Sequence, residues 1–241
     1  KVKLSLLVTH KQTIIISSLT DMKSLLLITK KIIKEKAPRA LFHVDAVQSF
    51  GHIPFKPASW GIDLASISSH KIHGPKGIGA LYIRKGVTIK PTVFGGGQEK
   101  NIRSGTENVG AIAGFGKACD LINLADGTKV AEIKEYLKEN LLKLDGSIYN
   151  GGGANESPYV LNISFGKIRS EIMLNALSNE GIYVSSGSAC ASGSHGSHVL
   201  SEMNVPLPDS AIRFSLSRYN TIDEAKAVVE KVTEIAKNLR V

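Results

Sequence analysis

Cys190 lies in the run Ser185-Ser186-Gly187-Ser188-Ala189-Cys190-Ala191-Ser192-Gly193-Ser194, where no neighbour is large enough to bury a thiol. Small, turn-forming residues on both sides give this segment the freedom of a loop that presents sulfur rather than packing it. It follows Gly181-Ile182-Tyr183-Val184, which reads as a short strand. Local composition fits a mobile nucleophile and a surface linker with an incidental cysteine equally well.

A second constellation lies upstream. Leu41-Phe42-His43-Val44-Asp45-Ala46-Val47-Gln48 and Asp63-Leu64-Ala65-Ser66-Ile67-Ser68-Ser69-His70-Lys71 are apolar strands that each end in polar residues. Ligands of open α/β sheets bind outside the carboxyl ends of the strands, so Asp45, Gln48, Ser68, His70 and Lys71 are expected at one site. Pyridoxal 5'-phosphate chemistry needs this set. A lysine amine forms the Schiff base, a carboxylate keeps the pyridine nitrogen protonated, and short polar side chains hold the phosphate. Gly74-Pro75-Lys76-Gly77 then turns the chain sharply away.

Five ordered motifs carry a family resemblance: His43-Val44-Asp45-Ala46-Val47-Gln48; Ser68-Ser69-His70-Lys71-Ile72-His73-Gly74-Pro75-Lys76-Gly77; Gly95-Gly96-Gly97-Gln98-Glu99; Arg103-Ser104-Gly105-Thr106-Glu107-Asn108; and Ser186-Gly187-Ser188-Ala189-Cys190. Together they resemble the group I cysteine desulfurases, from about residue 30 to the C-terminus. The resemblance implies the fold-type I aminotransferase architecture, a homodimer, and conversion of L-cysteine to L-alanine with sulfur left as a persulfide on Cys190. It assigns Lys71 and Cys190 to catalysis, and Asp45 to the pyridinium nitrogen beside Gln48. Ser68, His70 and Thr106 fall to cofactor binding, with Thr106 reaching the phosphate of the other subunit. Arg213 would hold the substrate carboxylate by a two-pronged hydrogen bond. The expected sulfur acceptor is an iron-sulfur scaffold or a thiolation enzyme. A selenocysteine lyase or related class V aminotransferase is a weaker rival, since Ser-Gly-Ser-Ala-Cys points to sulfur transfer. The family's Asn-Asn-Glu-rich run is absent near residues 19–27, and its ring-stacking histidine and a further phosphate-binding threonine lie upstream of residue 1. A non-catalytic remnant that keeps a partner-docking surface is therefore the alternative reading.

Composition narrows the class. With 241 residues and 42% hydrophobic content, the chain can bury one large core or two small ones. Cys119 and Cys190 make neither a disulfide framework nor a metal site, and a sulfur-handling thiol suits a reducing cytoplasm. Cys119 falls in a helical pattern and reads as packing. The net charge is +9, but residues 1–40 carry nine Lys/Arg against Asp21 and Glu35, so +7 belongs there and the body is nearly neutral. This argues against a nucleic-acid-binding face on the core, where a basic stripe would be expected. The apolar clusters within residues 1–29 are too interrupted to span a membrane or serve as a signal peptide. That segment matches no family motif and is expected to pack poorly.

The elements that must position these residues follow from periodicity. Strands are expected at 40–45, 63–68 and 79–84 in a partial, mostly parallel sheet, after a helix ending at residue 36 ahead of Pro38. Helices are expected at 105–125 and 129–144, with Asp126-Gly127 as a break. Strands at 160–165 and 212–216 and helices at 171–179 and 223–238 give a smaller α+β C-terminal domain. The organisation read is 1–29 unmatched, 30–120 a cofactor-binding large domain, and 121–241 a small domain carrying the cysteine loop.

Overall fold

The computed structural model describes residues 7–8, 13–16, 22–152, 156–186 and 198–239, with side chains from Leu26 onward. It divides into two compact units, Lys1–Leu124 and Ala125–Val241.

In the first unit, β1 (Leu7–Val8), β2 (Thr13–Ile16), β3 (Leu41–Asp45), β4 (Leu64–Ser68) and β5 (Gly79–Ile83) form one sheet in chain order. β2, β3 and β4 run parallel, while the outer pairs β1–β2 and β4–β5 are antiparallel. β5 can return directly beside β4 because the intervening turn is short, whereas the parallel steps need crossovers. The first crossover is α1 (Met22–Lys36), which buries Leu26, Thr29 and Ile33 at helical spacing. Lys34 and Lys36 occupy its last turn, where cations complement the helix dipole, and Pro38 prevents continuation. The second crossover contains α2 (Pro57–Trp60). Leu26, Phe42, Val44, Trp60, Ile62 and Ala65 make the core. Of the segment ahead of Lys30, where poor packing is expected, residues 1–6, 9–12 and 17–21 lie outside the described residues, and the rest departs from that expectation. Leu26 is fully buried, and β2 extends the sheet by pairing with β3.

α3 (Val109–Asp120) starts four residues later than its sequence pattern, because Asn108 accepts from Ala111 N at 3.1 Å and sets the cap there. Phe115 and Ala118 of α3 pack on Ile72.

In the second unit, α4 (Asp126–Leu141) begins at Asp126-Gly127, which is thus a helix start and not a break. An acid is favourable in a first turn, and glycine is tolerated there. β6 (Ser147–Tyr149), missed in the sequence, pairs antiparallel with β7 (Val160–Phe165), and β7 pairs with β8 (Ala211–Ser215). α5 (Ser170–Asn179), the short α6 (His198–Glu202) and α7 (Ile222–Asn238) complete the unit. α7 opens on a reciprocal cap between Thr221 and Glu224. Leu161, Ile163 and Phe165 alternate onto one face and meet Ile212, Phe214, Leu137, Met173 and Leu177. Residues 181–184 form no strand; only Ser185 bridges, to Arg213.

Candidate functional site

Parallel pairing puts the carboxyl ends of β3 and β4 on one edge, with Asp45 opposite Ser66 and Ser68 two residues further along β4. Asp45 is exposed, and its Oδ1 accepts from Val47 N at 3.0 Å, an Asx turn that swings the chain out of the strand. Gln48 is exposed on that turn, and its carbonyl accepts from His52 Nδ1 at 3.1 Å. At the end of β4, Ser68 Oγ and His70 Nδ1 share a 2.8 Å hydrogen bond.

The chain then makes a 3₁₀ turn over Ser69–Ile72. Ser69 and Ile72 are buried anchors, His70 is exposed and Lys71 half-buried, so the turn holds on by its ends and presents its middle. His73 closes it at φ 65°, with Gly74 N donating to Ser69 O at 3.0 Å. A Cβ at Gly74 would collide with Ser69 Oγ, itself buried without a hydrogen-bond partner among the described residues.

One close approach and one electrostatic influence join this turn to the segment that follows Gln48. Gly51 has φ 84°, and a Cβ there would come within 2.5 Å of Ile72 Cγ2, so glycine permits the approach. Burial lowers the His52 imidazole pKa, the Gln48 carbonyl opposes this, and the charges of His73 and Lys71 lower it further. His52 therefore lies within electrostatic reach of Lys71. Neither His52 nor Gly51 was singled out in the sequence, and no local spacing marks them. Behind the edge, His43 Nε2 and Ser66 Oγ are 2.8 Å apart; burial lowers the His43 pKa, partly offset by Asp45.

Asp45, Gln48, Ser68, His70 and Lys71 thus share one edge. Thr106 is exposed in the glycine-rich segment, where Gly105 N donates to Gln98 Oε1 at 3.0 Å and Ser104 N to Val93 O at 3.2 Å. Arg213 belongs to the second unit, on the face of β8 opposite the buried Ile212 and Phe214. Its Nε is buried without a partner among the described residues. Its backbone exchanges both hydrogen bonds with Ser185, at 2.7 and 3.1 Å, so the cysteine-bearing segment departs from beside Arg213. Cys190 and residues 187–197 lie outside the described residues. Burial, with Asp120 adding, pushes the Cys119 thiol pKa up, as suits a packed sulfur.

The donor set at the carboxyl edge fits pyridoxal phosphate. Asp45 has a second carboxylate oxygen for a pyridinium N–H, Ser68 and His70 offer a hydroxyl and an imidazole to a phosphate, and Lys71 Nζ has no ion-pair partner among the described residues. No group of His, Cys, Asp and Glu among those residues could hold a metal ion.

The aminotransferase class-V family profile matches residues 21–228. Curated relatives include the cysteine desulfurase IscS of Dictyoglomus turgidum, 45% identical over 83% of this chain and 52% of its own length. A cysteine desulfurase of Rhodobacter capsulatus is 43% identical over 85% and 55%. Among solved structures, a NifS-like protein superposes with a TM-score of 0.80 at 39% identity, covering 88% of this chain and 56% of its own. The NifS-like protein of Rickettsia africae gives 0.79 at 35%, covering 93% and 61%. The chain spans about half the length of the curated relatives it matches. With the profile covering most of its residues, the chain belongs to the class-V aminotransferase family.

Proposed function

We propose that this chain is the cofactor-binding and cysteine-bearing part of a pyridoxal-phosphate-dependent cysteine desulfurase. The observation that carries this reading is the meeting of two turns at one sheet edge, the Asp45–Gln48 turn and the buried-ended turn presenting Lys71. The cysteine desulfurase names of the relatives supply the reaction class.

When bound, pyridoxal phosphate supplies an electron sink for charge developing on the substrate. Lys71 holds it covalently, the Asp45 carboxylate keeps its ring nitrogen protonated, Gln48 lies beside Asp45, and Ser68, His70 and Thr106 receive the phosphate. Arg213 orients L-cysteine by its carboxylate, a role supported by its unpartnered buried Nε. The Cys190 thiolate attacks the substrate sulfur. An S–S bond forms, the substrate C–S bond breaks, and the electron pair left on carbon takes a proton to give L-alanine. No Lys or Arg adjoins Cys190 in sequence, so any group that favours its thiolate comes from the fold, the cofactor or a bound partner. The persulfide then passes to an acceptor protein, an iron-sulfur scaffold or a thiolation enzyme, and the working form is a homodimer in a reducing, cytoplasmic compartment. Among the described residues no helix is long and apolar enough to cross a membrane. We assign cofactor binding to the first unit and the cysteine segment to the second.

Addition of pyridoxal phosphate to the purified chain is the test. A visible absorbance band that borohydride bleaches while leaving a reduced pyridoxyl group on Lys71, located by peptide mass mapping, supports the reading. Labelling spread over surface lysines, or no band, would overturn it in favour of a chain that keeps the scaffold without turnover.

A further inference from the structure

The amino-terminal edge of β3 and β4 carries a cavity of about 400 Å³. β3 is five residues long, which puts this edge about 13 Å from Asp45. Lys30 and Lys34 of α1, Arg39 ahead of β3 and Arg84 after β5 line the cavity with Gly61 and Asp63.

Asp63 is the only acid in the lining among the described residues, and both its oxygens are engaged. Oδ1 accepts from Arg84 Nε at 2.6 Å and Oδ2 from Phe42 N at 2.7 Å. Lys30, Lys34 and Arg39 have no ion-pair or hydrogen-bond partner among the described residues. Lys30 is also held in place. Its ammonium lies where a Cβ of residue 61 would stand, and Gly61, at φ 65°, closes α2 without one. Three uncompensated cations thus share a recess with apolar walls such as Ile33 and Phe42, where field lines focus and like charges repel.

We propose that this recess binds a small phosphorylated anion, of which pyrophosphate is the simplest. A monocarboxylate offers two oxygens and leaves at least one cation unmatched. Phosphoryl oxygens can meet an arginine fork and two ammonium groups together. The volume suits a small-molecule site, whereas a nucleic-acid strand needs an open basic stripe. The same residues account for part of the charge concentrated in residues 1–40.

Calorimetric titration of the full chain with sodium pyrophosphate at fixed ionic strength tests this. Saturable one-to-one binding is expected, weakened at least tenfold by Lys34→Gln with Arg39→Gln and again by Lys30→Met, but unchanged by Lys117→Gln with Lys143→Gln. Lys34 and Arg39 are exposed, so their removal leaves the fold intact, and equal melting temperatures verify this. Four outcomes would overturn the proposal: no saturable binding, equal weakening by the control pair, loss of binding in Ser68→Ala with His70→Ala instead, or tighter binding of an oligoglutamate peptide than of pyrophosphate.

Discussion

On the proposed reading Lys71 would hold the cofactor and Cys190 would take the sulfur, which makes the two separable in function. In a chain extended to the length of its relatives, Cys190→Ala should keep the visible absorbance yet yield no alanine and no persulfide. Lys71→Ala should lose the covalently held cofactor itself. Wild-type persulfide production by Cys190→Ala, followed by alkylation and mass spectrometry, would assign the chemistry elsewhere. Asp45→Asn divides the residue's two tasks. The amide oxygen still accepts from Val47 N and keeps the turn, but the negative charge is gone. One charge-assisted hydrogen bond is worth about 1.5–3 kcal/mol, so cofactor affinity should fall roughly tenfold to a hundredfold with an unchanged melting temperature. Cys119→Ala, in a half-buried helical position, should cost about 1 kcal/mol and leave turnover alone.

Elements set the precision of these side chains, and here tertiary contacts matter more than pattern. Gly51→Ala places a Cβ against Ile72 at a left-handed backbone position, so it should destabilise the chain by roughly 1–3 kcal/mol and slow the labelling of Lys71. Unchanged labelling would mean the two turns are held apart from each other. In the second unit, Glu156 joins Tyr149 and Gly152 to Lys134 of α4. Burial pushes its carboxyl pKa up, but hydrogen bonds from Tyr149 Oη, from Lys134 Nζ and from Gly152 N outweigh it and hold the group at about 2. The folded pKa is below the ordinary value, so this stabilisation is present above about pH 4.5 and is lost as pH falls towards 2. Glu156→Gln leaves buried Lys134 without its carboxylate and should cost roughly 2 kcal/mol at pH 7, a gap that closes in acid denaturation scans near pH 2. Strands β3, β4, β7 and β8 were legible because their apolar runs end in turn residues, and the shared edge of Asp45, Ser68 and Lys71 because polar residues close the two neighbouring parallel strands. Gly51, Ser69 and His52 were illegible, since each acts through a neighbour distant in sequence. Residues 181–184 read as a strand by composition, but they turn back onto the end of α5 and only Ser185 bridges to a strand.

At the scale of the whole molecule, each unit has a core of its own, and the excess charge belongs to the first. The sequence showed that excess but not its location in a recess, because Lys30, Lys34 and Arg39 meet only when α1 folds back along β3. The second unit contains everything a small domain requires. β7 is paired on both sides, α4, α5 and α7 supply the covering layer, and Leu161, Ile163, Phe165, Met173, Leu177 and Ile212 are fully buried. Phe165 also meets the Phe214 ring edge-on at 6.4 Å, tying β7 to β8. A fragment of residues 125–241 should therefore fold alone, with one cooperative thermal transition. Within it, Phe165→Ala should cost about 3–5 kcal/mol, because the aromatic leaves a cavity that its neighbours only partly fill. Circular dichroism melts with dye binding decide the matter. A broad transition with strong dye binding would show that this core is completed by residues outside the fragment, whereas a sharp one makes the unit a self-sufficient platform for the segment that carries Cys190.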